Sequence, residues 1–244
     1  MRCFRRWAIL WVTMLALTCA AVPAFAGTVT YFDGTYNLAN YTGPTTYTDT
    51  AALTTTVSQD TVNGNPAPSI QFQSMAPVGS SFSFQVMMNN GWLYDPGSQG
   101  ALNSITFSED KYFNSLTQPF NLLSSNIRLV ILQGGNYYFG TTPVSTAQDV
   151  WVSGGTTFLA SQFCEVSFVS GSQDCTMNPS FASGSMQFGV ANLLTLITLG
   201  SADTLTINYD NTYIQLNQAP EPSSLLLLGS GIVGLAGWTR RRLR

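Results

Sequence analysis

The chain has 244 residues, with nine Lys and Arg, twelve Asp and Glu, and no histidine. The missing histidine excludes a Ser-His-Asp triad, a Cys-His dyad and a histidine metal site. Seven of the nine cations lie in the first six and last five residues, so residues 27–219 hold eleven acids against two cations, a net of −9. That balance excludes nucleic acid as a partner, because phosphate binding needs clustered Lys and Arg.

At the N-terminus, Arg2, Arg5 and Arg6 precede an apolar run from Trp7 to Val22, and Ala24-Phe25-Ala26 follows. A positive segment, an apolar segment and small residues at a cleavage site make a secretory signal peptide, residues 1–26, cut before Gly27. Cys19 as a lipidation site is the weaker alternative, since Thr18 suits the preceding position poorly.

Residues 27–219 are one domain's worth of chain. They are rich in Ser, Thr, Asn, Gln, Gly and aromatics, and they lack the Glu, Lys and Arg of wet helix faces. Period-two sets mark strands in chain order: Phe82, Phe84, Val86 and Met88; Ile127, Leu129 and Ile131; Met186, Phe188 and Val190; Leu205, Ile207 and Tyr209; then Ile214 and Leu216. Turn signals fall at Asn63-Gly64-Asn65-Pro66, Asn89-Asn90-Gly91, Asp95-Pro96-Gly97, Gly134-Gly135-Asn136, Gly154-Gly155 and Gly200-Ser201. Ser108-Glu109-Asp110-Lys111 reads as a polar turn after a strand at Ile105–Phe107, and the one helical candidate is short, Thr157 to Phe163 or a turn near Ser108 to Phe113. Many short strands with frequent turns predict an all-β fold, a β-sandwich or jelly roll.

Cys3 and Cys19 leave with the signal peptide, so Cys164 and Cys175 remain and are expected to form a disulfide across a hairpin. For hydrolysis by paired carboxyls the candidates are Glu109, Asp110 and Glu165, too thin a set to predict an enzyme. No cofactor is expected. Calcium, which takes oxygen ligands, is the candidate cation at Asp210 and Asn211 with Asp33, although Asp-Asn is also a plain turn signal. Trp92, Tyr94, Tyr137, Tyr138 and Trp151 are candidates for a sugar-stacking platform, against the alternative that they fill the core.

At the C-terminus, Pro220-Glu221-Pro222 precedes a 14-residue run from Leu225 to Trp238, apolar or glycine except for Ser230, and the chain closes on Arg240, Arg241, Arg242 and Arg244. The run is roughly 21 Å long as a helix, short for a span; Ser223, Ser224 and Thr239 extend it to about 223–239. The terminal arginines are expected to stay cytoplasmic. Residues 220–244 thus resemble the PEP-CTERM sorting signal of Gram-negative bacteria. The resemblance implies an exosortase as partner, processing near Pro220-Glu221-Pro222 and an exopolysaccharide-producing host. It also implies anchoring in the inner membrane before processing, and delivery to the cell surface or extracellular matrix. In such a host the sequon Asn40-Tyr41-Thr42 is fortuitous.

Asn178-Pro179-Ser180-Phe181, Met186-Gln187-Phe188-Gly189 and Asp210-Asn211 followed by Ile214 resemble the last strands of secreted jelly-roll domains of the laminin-G or galactose-binding type. The functional expectation is an exported surface or matrix protein associated with exopolysaccharide. A carbohydrate-binding adhesin module and a carboxylate-dependent hydrolase are the alternatives.

Overall fold

Alternation of apolar and polar side chains carries most of the backbone into strands. The computed structural model describes residues 27–113, 120–141, 150–198 and 202–220. The signal peptide at 1–26, Glu221, Pro222, the expected membrane segment at about 223–239, the terminal arginines and the Gly200-Ser201 turn lie outside the described residues. Among the described residues no helix is long and apolar enough to cross a membrane.

The strands are β1 (Thr28–Asp33), β2 (Tyr41–Thr48), β3 (Thr54–Asp60), β4 (Ser69–Ala76), β5 (Gly79–Tyr94), β6 (Leu102–Phe113), β7 (Phe120–Gln133), β8 (Asn136–Gly140), β9 (Val152–Phe158), β10 (Phe163–Val166), β11 (Gln173–Asp174), β12 (Met186–Thr198) and β13 (Asp203–Gln218). One sheet runs β3-β4-β13-β6-β9, with β1 also on β13. The other runs β11-β10-β8-β7-β12-β5-β2. Ile70, Phe72, Ile105, Leu205 and Ile207 of the first sheet pack against Ile127, Leu129, Ile131 and Phe188 of the second. Thr28–Asn217 forms one compact unit. The protein is a β-sandwich, as the strand sets predict.

In the larger sheet β12 is flanked by β5 and β7 and carries no charged residue. Its inward Met186, Phe188 and Val190 join the main core, while Ala191 and Leu193 face the other way. A second apolar cluster therefore lies on the far face of this sheet, built on Phe84, Val86, Met88, Val130 and Phe139. The strand set Phe82, Phe84, Val86 and Met88 faces this cluster and not the space between the sheets. The β10–β11 hairpin folds over it, placing the Phe168 ring 4.9 Å from Phe84 and 4.8 Å from Tyr137. Cys164 and Cys175 are joined as a disulfide and close this hairpin.

Three expected turns are strand. Ser108–Phe113 continues β6, whose residues Ser108 to Lys111 pair with β9 from Gly155 to Val152. Long-range partners for its charged side chains make this tolerable. Asn89-Asn90-Gly91 lies inside β5, where Gly91 N–H bonds the Asn89 side chain. Gly154-Gly155 lies inside β9, because the strands approach closely there: a Cβ on Gly155 would sit 2.7 Å from the Phe107 carbonyl oxygen. The expected helix at Thr157–Phe163 shrinks to one 3-10 turn, Ala160–Gln162. Gly134-Gly135 is the hairpin turn between β7 and β8, and Asp95 caps the one-turn helix Pro96–Gln99.

Candidate functional site

Leu205, Ile207 and Tyr209 point inward from β13, and so do Ile214 and Leu216. Strict alternation forbids odd and even positions on one face of a strand. The change of phase occurs at Asp210-Asn211, where Asn211 takes φ 52°. Asparagine is among the residues that tolerate this left-handed conformation, since its short polar side chain bonds locally. Before the bend β13 pairs with β4, and after it with β1.

The bend gathers residues far apart in sequence. Asp210 Oδ2 accepts from the Asn65 N–H at 2.5 Å, and Oδ1 from the Asn211 N–H at 2.7 Å. The Asn211 amide donates to Asp110 Oδ2 at 2.8 Å and to the Asn65 carbonyl. Asn65 Nδ2 also reaches Asp110 Oδ2, at 3.0 Å, and the Ser153 hydroxyl bonds Oδ1. Deeper, Glu109 accepts from the Tyr36 hydroxyl at 2.5 Å and the Thr212 hydroxyl at 2.6 Å. Asp33 Oδ1 accepts the Thr35 and Tyr36 N–H groups, both at 2.8 Å, and its Oδ2 the Tyr41 hydroxyl at 2.9 Å. Tyr36, at φ 43°, is the second non-glycine residue held left-handed here. Two such conformations persist only where surrounding bonds over-determine them.

Four carboxylates, Asp33, Glu109, Asp110 and Asp210, are thus buried together. Burial raises the Glu109 pKa to about 8, against the hydroxyl bonds from Thr212 and Tyr36 that lower it; Asp210 and Asp110 push it further up. Burial also raises Asp210, with the Asn65 and Asn211 N–H groups pulling it back. Lys111, buried with its ammonium 5.7 Å from the centre of the Tyr209 ring, is lowered to about 7 by burial, with Glu109 opposing. Among the described residues no group of three or more His, Cys, Asp or Glu side chains is placed to hold a metal ion.

Above this network is a depression of about 420 Å³, lined by Phe32, Asp33, Gly34, Thr35, Pro66 and Asn211. The sequence singled out Asp33, Asp210 and Asn211, and the structure brings them together. It missed Phe32, Tyr36 and Thr212, which neighbour Asp33 and Asn211 in sequence, and Asn65, which reaches the site from a distant segment. The signal that finds the bend is the phase slip between Tyr209 and Ile214.

Trp92, Tyr94 and Tyr138 are 6 %, 1 % and 7 % exposed, so their rings are core and offer no open face. Trp92 stacks on Tyr31 at 6.2 Å, and the Tyr94 hydroxyl donates to the Gly100 carbonyl at 2.6 Å. Tyr137 packs under Phe168, and the half-buried Trp151 lies 5.4 Å from Tyr112. Phe32, by contrast, is 61 % exposed. Glu109 and Asp110 are on β6, whereas Glu165 lies in β10 of the other sheet, so the three do not form one pair.

Residues 218–242 match the PEP-CTERM protein-sorting motif. That motif marks an exported protein and implies exosortase as its partner. No curated protein matches the chain. Among solved structures, the family 11 carbohydrate-binding module of the cellulosomal cellulase Lic26A-Cel5E of Clostridium thermocellum is 10 % identical. It covers 82 % of this chain and 95 % of its own, with a TM-score of 0.32. The CBM22-1 xylan-binding domain of Paenibacillus barcinonensis Xyn10C is 12 % identical, over 80 % and 97 %, with a TM-score of 0.36. Likeness at that level says nothing about what this chain binds.

Proposed function

We propose that the protein is a non-catalytic component of the cell surface or extracellular matrix. Its C-terminal segment holds it in the inner membrane until an exosortase processes it near Pro220-Glu221-Pro222, and its β-sandwich then associates with exopolysaccharide. The observation that carries this reading is the sorting motif at 218–242, placed directly after the last strand. The Cys164–Cys175 disulfide suits a body that folds in an oxidising compartment. The absence of catalysis is supported by the state of Glu109, which is 1 % exposed with both oxygens bonded.

The test is fractionation of an exosortase-bearing host and its exosortase deletion strain. The expected result is a shortened protein co-sedimenting with exopolysaccharide in the first and a longer, membrane-retained form in the second. Replacing Pro220, Glu221 and Pro222 by alanine is expected to reproduce the deletion. Identical size and location in both strains would overturn the sorting step.

A further inference from the structure

We infer that the depression beside the β13 bend is a binding site for a neutral polysaccharide chain, with Phe32 as its stacking platform; this deepens the exopolysaccharide reading above and rests on it. On β1 the side chains alternate, with Thr28, Thr30 and Phe32 outward and Asp33 inward. Phe32 therefore turns a largely open ring to solvent on the rim of a concavity, while the other rings weighed for this role are buried or packed against neighbours.

The ring does not stand alone. A Cβ on Gly34 would come within 3.0 Å of both the Phe32 ring and Asn211 Oδ1, so the glycine lets an aromatic edge and an amide oxygen converge on one point. The Asn211 Nδ2 is spent on Asp110 and Asn65, which fixes the amide with its oxygen toward the depression. The Asp33 carboxylate is likewise spent on Thr35, Tyr36 and Tyr41, so it braces the floor. A sugar ring has an apolar C–H face and a rim of hydroxyl donors; an aromatic face beside a fixed acceptor matches both.

The surface continues along the strands with amides. Phe32 lies across from Tyr213, Thr30 from Gln215 and Thr28 from Asn217. Tyr213 OH donates to Gln215 Oε1 at 2.7 Å, Gln215 Nε2 to Asn217 Oδ1 at 2.8 Å, and Asn217 Nδ2 to Ser104 Oγ at 3.1 Å. This is an uncharged, hydrogen-bonded track leading away from the ring, suited to a chain more than to a single sugar. Charge selects the polymer. The two cations of residues 27–219 are withdrawn, Lys111 by burial and Arg128 by donation to the Gly140 and Thr141 carbonyls. A body at −9 repels an acidic polysaccharide and has no exposed cation to hold one.

The experiment uses the processed protein recovered from the medium. It is run through native gels containing a soluble β-glucan, a xylan or a galactomannan, with alginate as the acidic control. Retardation by at least one neutral polymer and none by alginate is expected. Phe32→Ala should weaken that binding about tenfold, while Phe32→Trp retains it. Both variants should keep the melting temperature, since Phe32 is outside the core. Retardation by alginate alone, by no polymer, or equally for Phe32→Ala would overturn the site. Loss of dimerisation in Phe32→Ala with unchanged sugar binding would overturn it in favour of a contact between copies. Exopolysaccharide co-sedimentation from the host distinguishes the two levels: a wild-type protein that sediments, with Phe32→Ala sedimenting equally, removes this site and leaves the functional reading standing.

Discussion

The two sides of the sandwich are specified by opposite means. On the outer face of the larger sheet, Phe84 meets Tyr47, Phe139 and Phe168 with centroids 5.0, 5.6 and 4.9 Å apart, and a disulfide closes the hairpin that brings Phe168 over them. At the β13 bend of the smaller sheet, four buried carboxylates are held by hydroxyls, amides and backbone N–H groups. The first region gains stability from apolar burial and a covalent constraint. The second gains specificity, because a buried carboxylate is tolerated only where its donors are all in place. Rings of many shapes can fill the first, whereas the second admits few alternatives.

The largest expected effect lies in the aromatic region. Phe84→Ala should lower stability by about 4 kcal/mol, from lost burial and the cavity left behind. Urea unfolding followed by Trp fluorescence measures it. A loss under about 1 kcal/mol would mean that the Phe168 hairpin refills the space. Replacing both Cys164 and Cys175 by serine should cost about 3 kcal/mol, the entropy of an open loop of that size; equal melting curves with and without reductant would show that the hairpin holds itself.

A more diagnostic effect concerns pH. Glu109 is raised from 4.5 to about 8, so the folded state keeps a proton that the unfolded state has lost. Its stabilising contribution is complete below about pH 4.5 and is lost as pH rises toward 8. Lys111 is lowered from 10.5 to about 7, and the cost of its burial is relieved as pH rises from 7 to 10.5. Melting temperature should therefore fall between pH 5 and 7 and recover above pH 8. Glu109→Gln should flatten the acid limb and start the alkaline one at lower pH, because Glu109 holds the Lys111 pKa up. An unchanged acid limb in that variant would assign it to another group.

The strand sets were legible because they depend on local alternation alone. Ile127, Leu129 and Ile131 needed no knowledge of the partner strand to be read as a buried face. The errors share a cause. Ser108-Glu109-Asp110-Lys111 looks like a turn until Tyr36, Asn65, Ser153, Asn211 and Thr212 supply donors from 43 to 103 residues away. Trp92 follows a turn signal, but Asn89-Asn90-Gly91 is an irregularity inside β5, where the register against β12 shifts, and the ring turns onto Tyr31. At the site, Asp210 and Asn211 carried a local signal. Phe32 carried none, since an aromatic in an alternating strand is most often turned inward.

Asn211 also sets a tolerance to insertion and deletion that no side-chain substitution would reveal. Losing that single position would cancel the phase slip: β13 would alternate regularly with Ile214 and Leu216 still inward, but without the bend that gathers Asp210, Asn65 and Asp110. The sandwich core can therefore outlast a one-residue deletion there that the hydrogen-bonded network cannot.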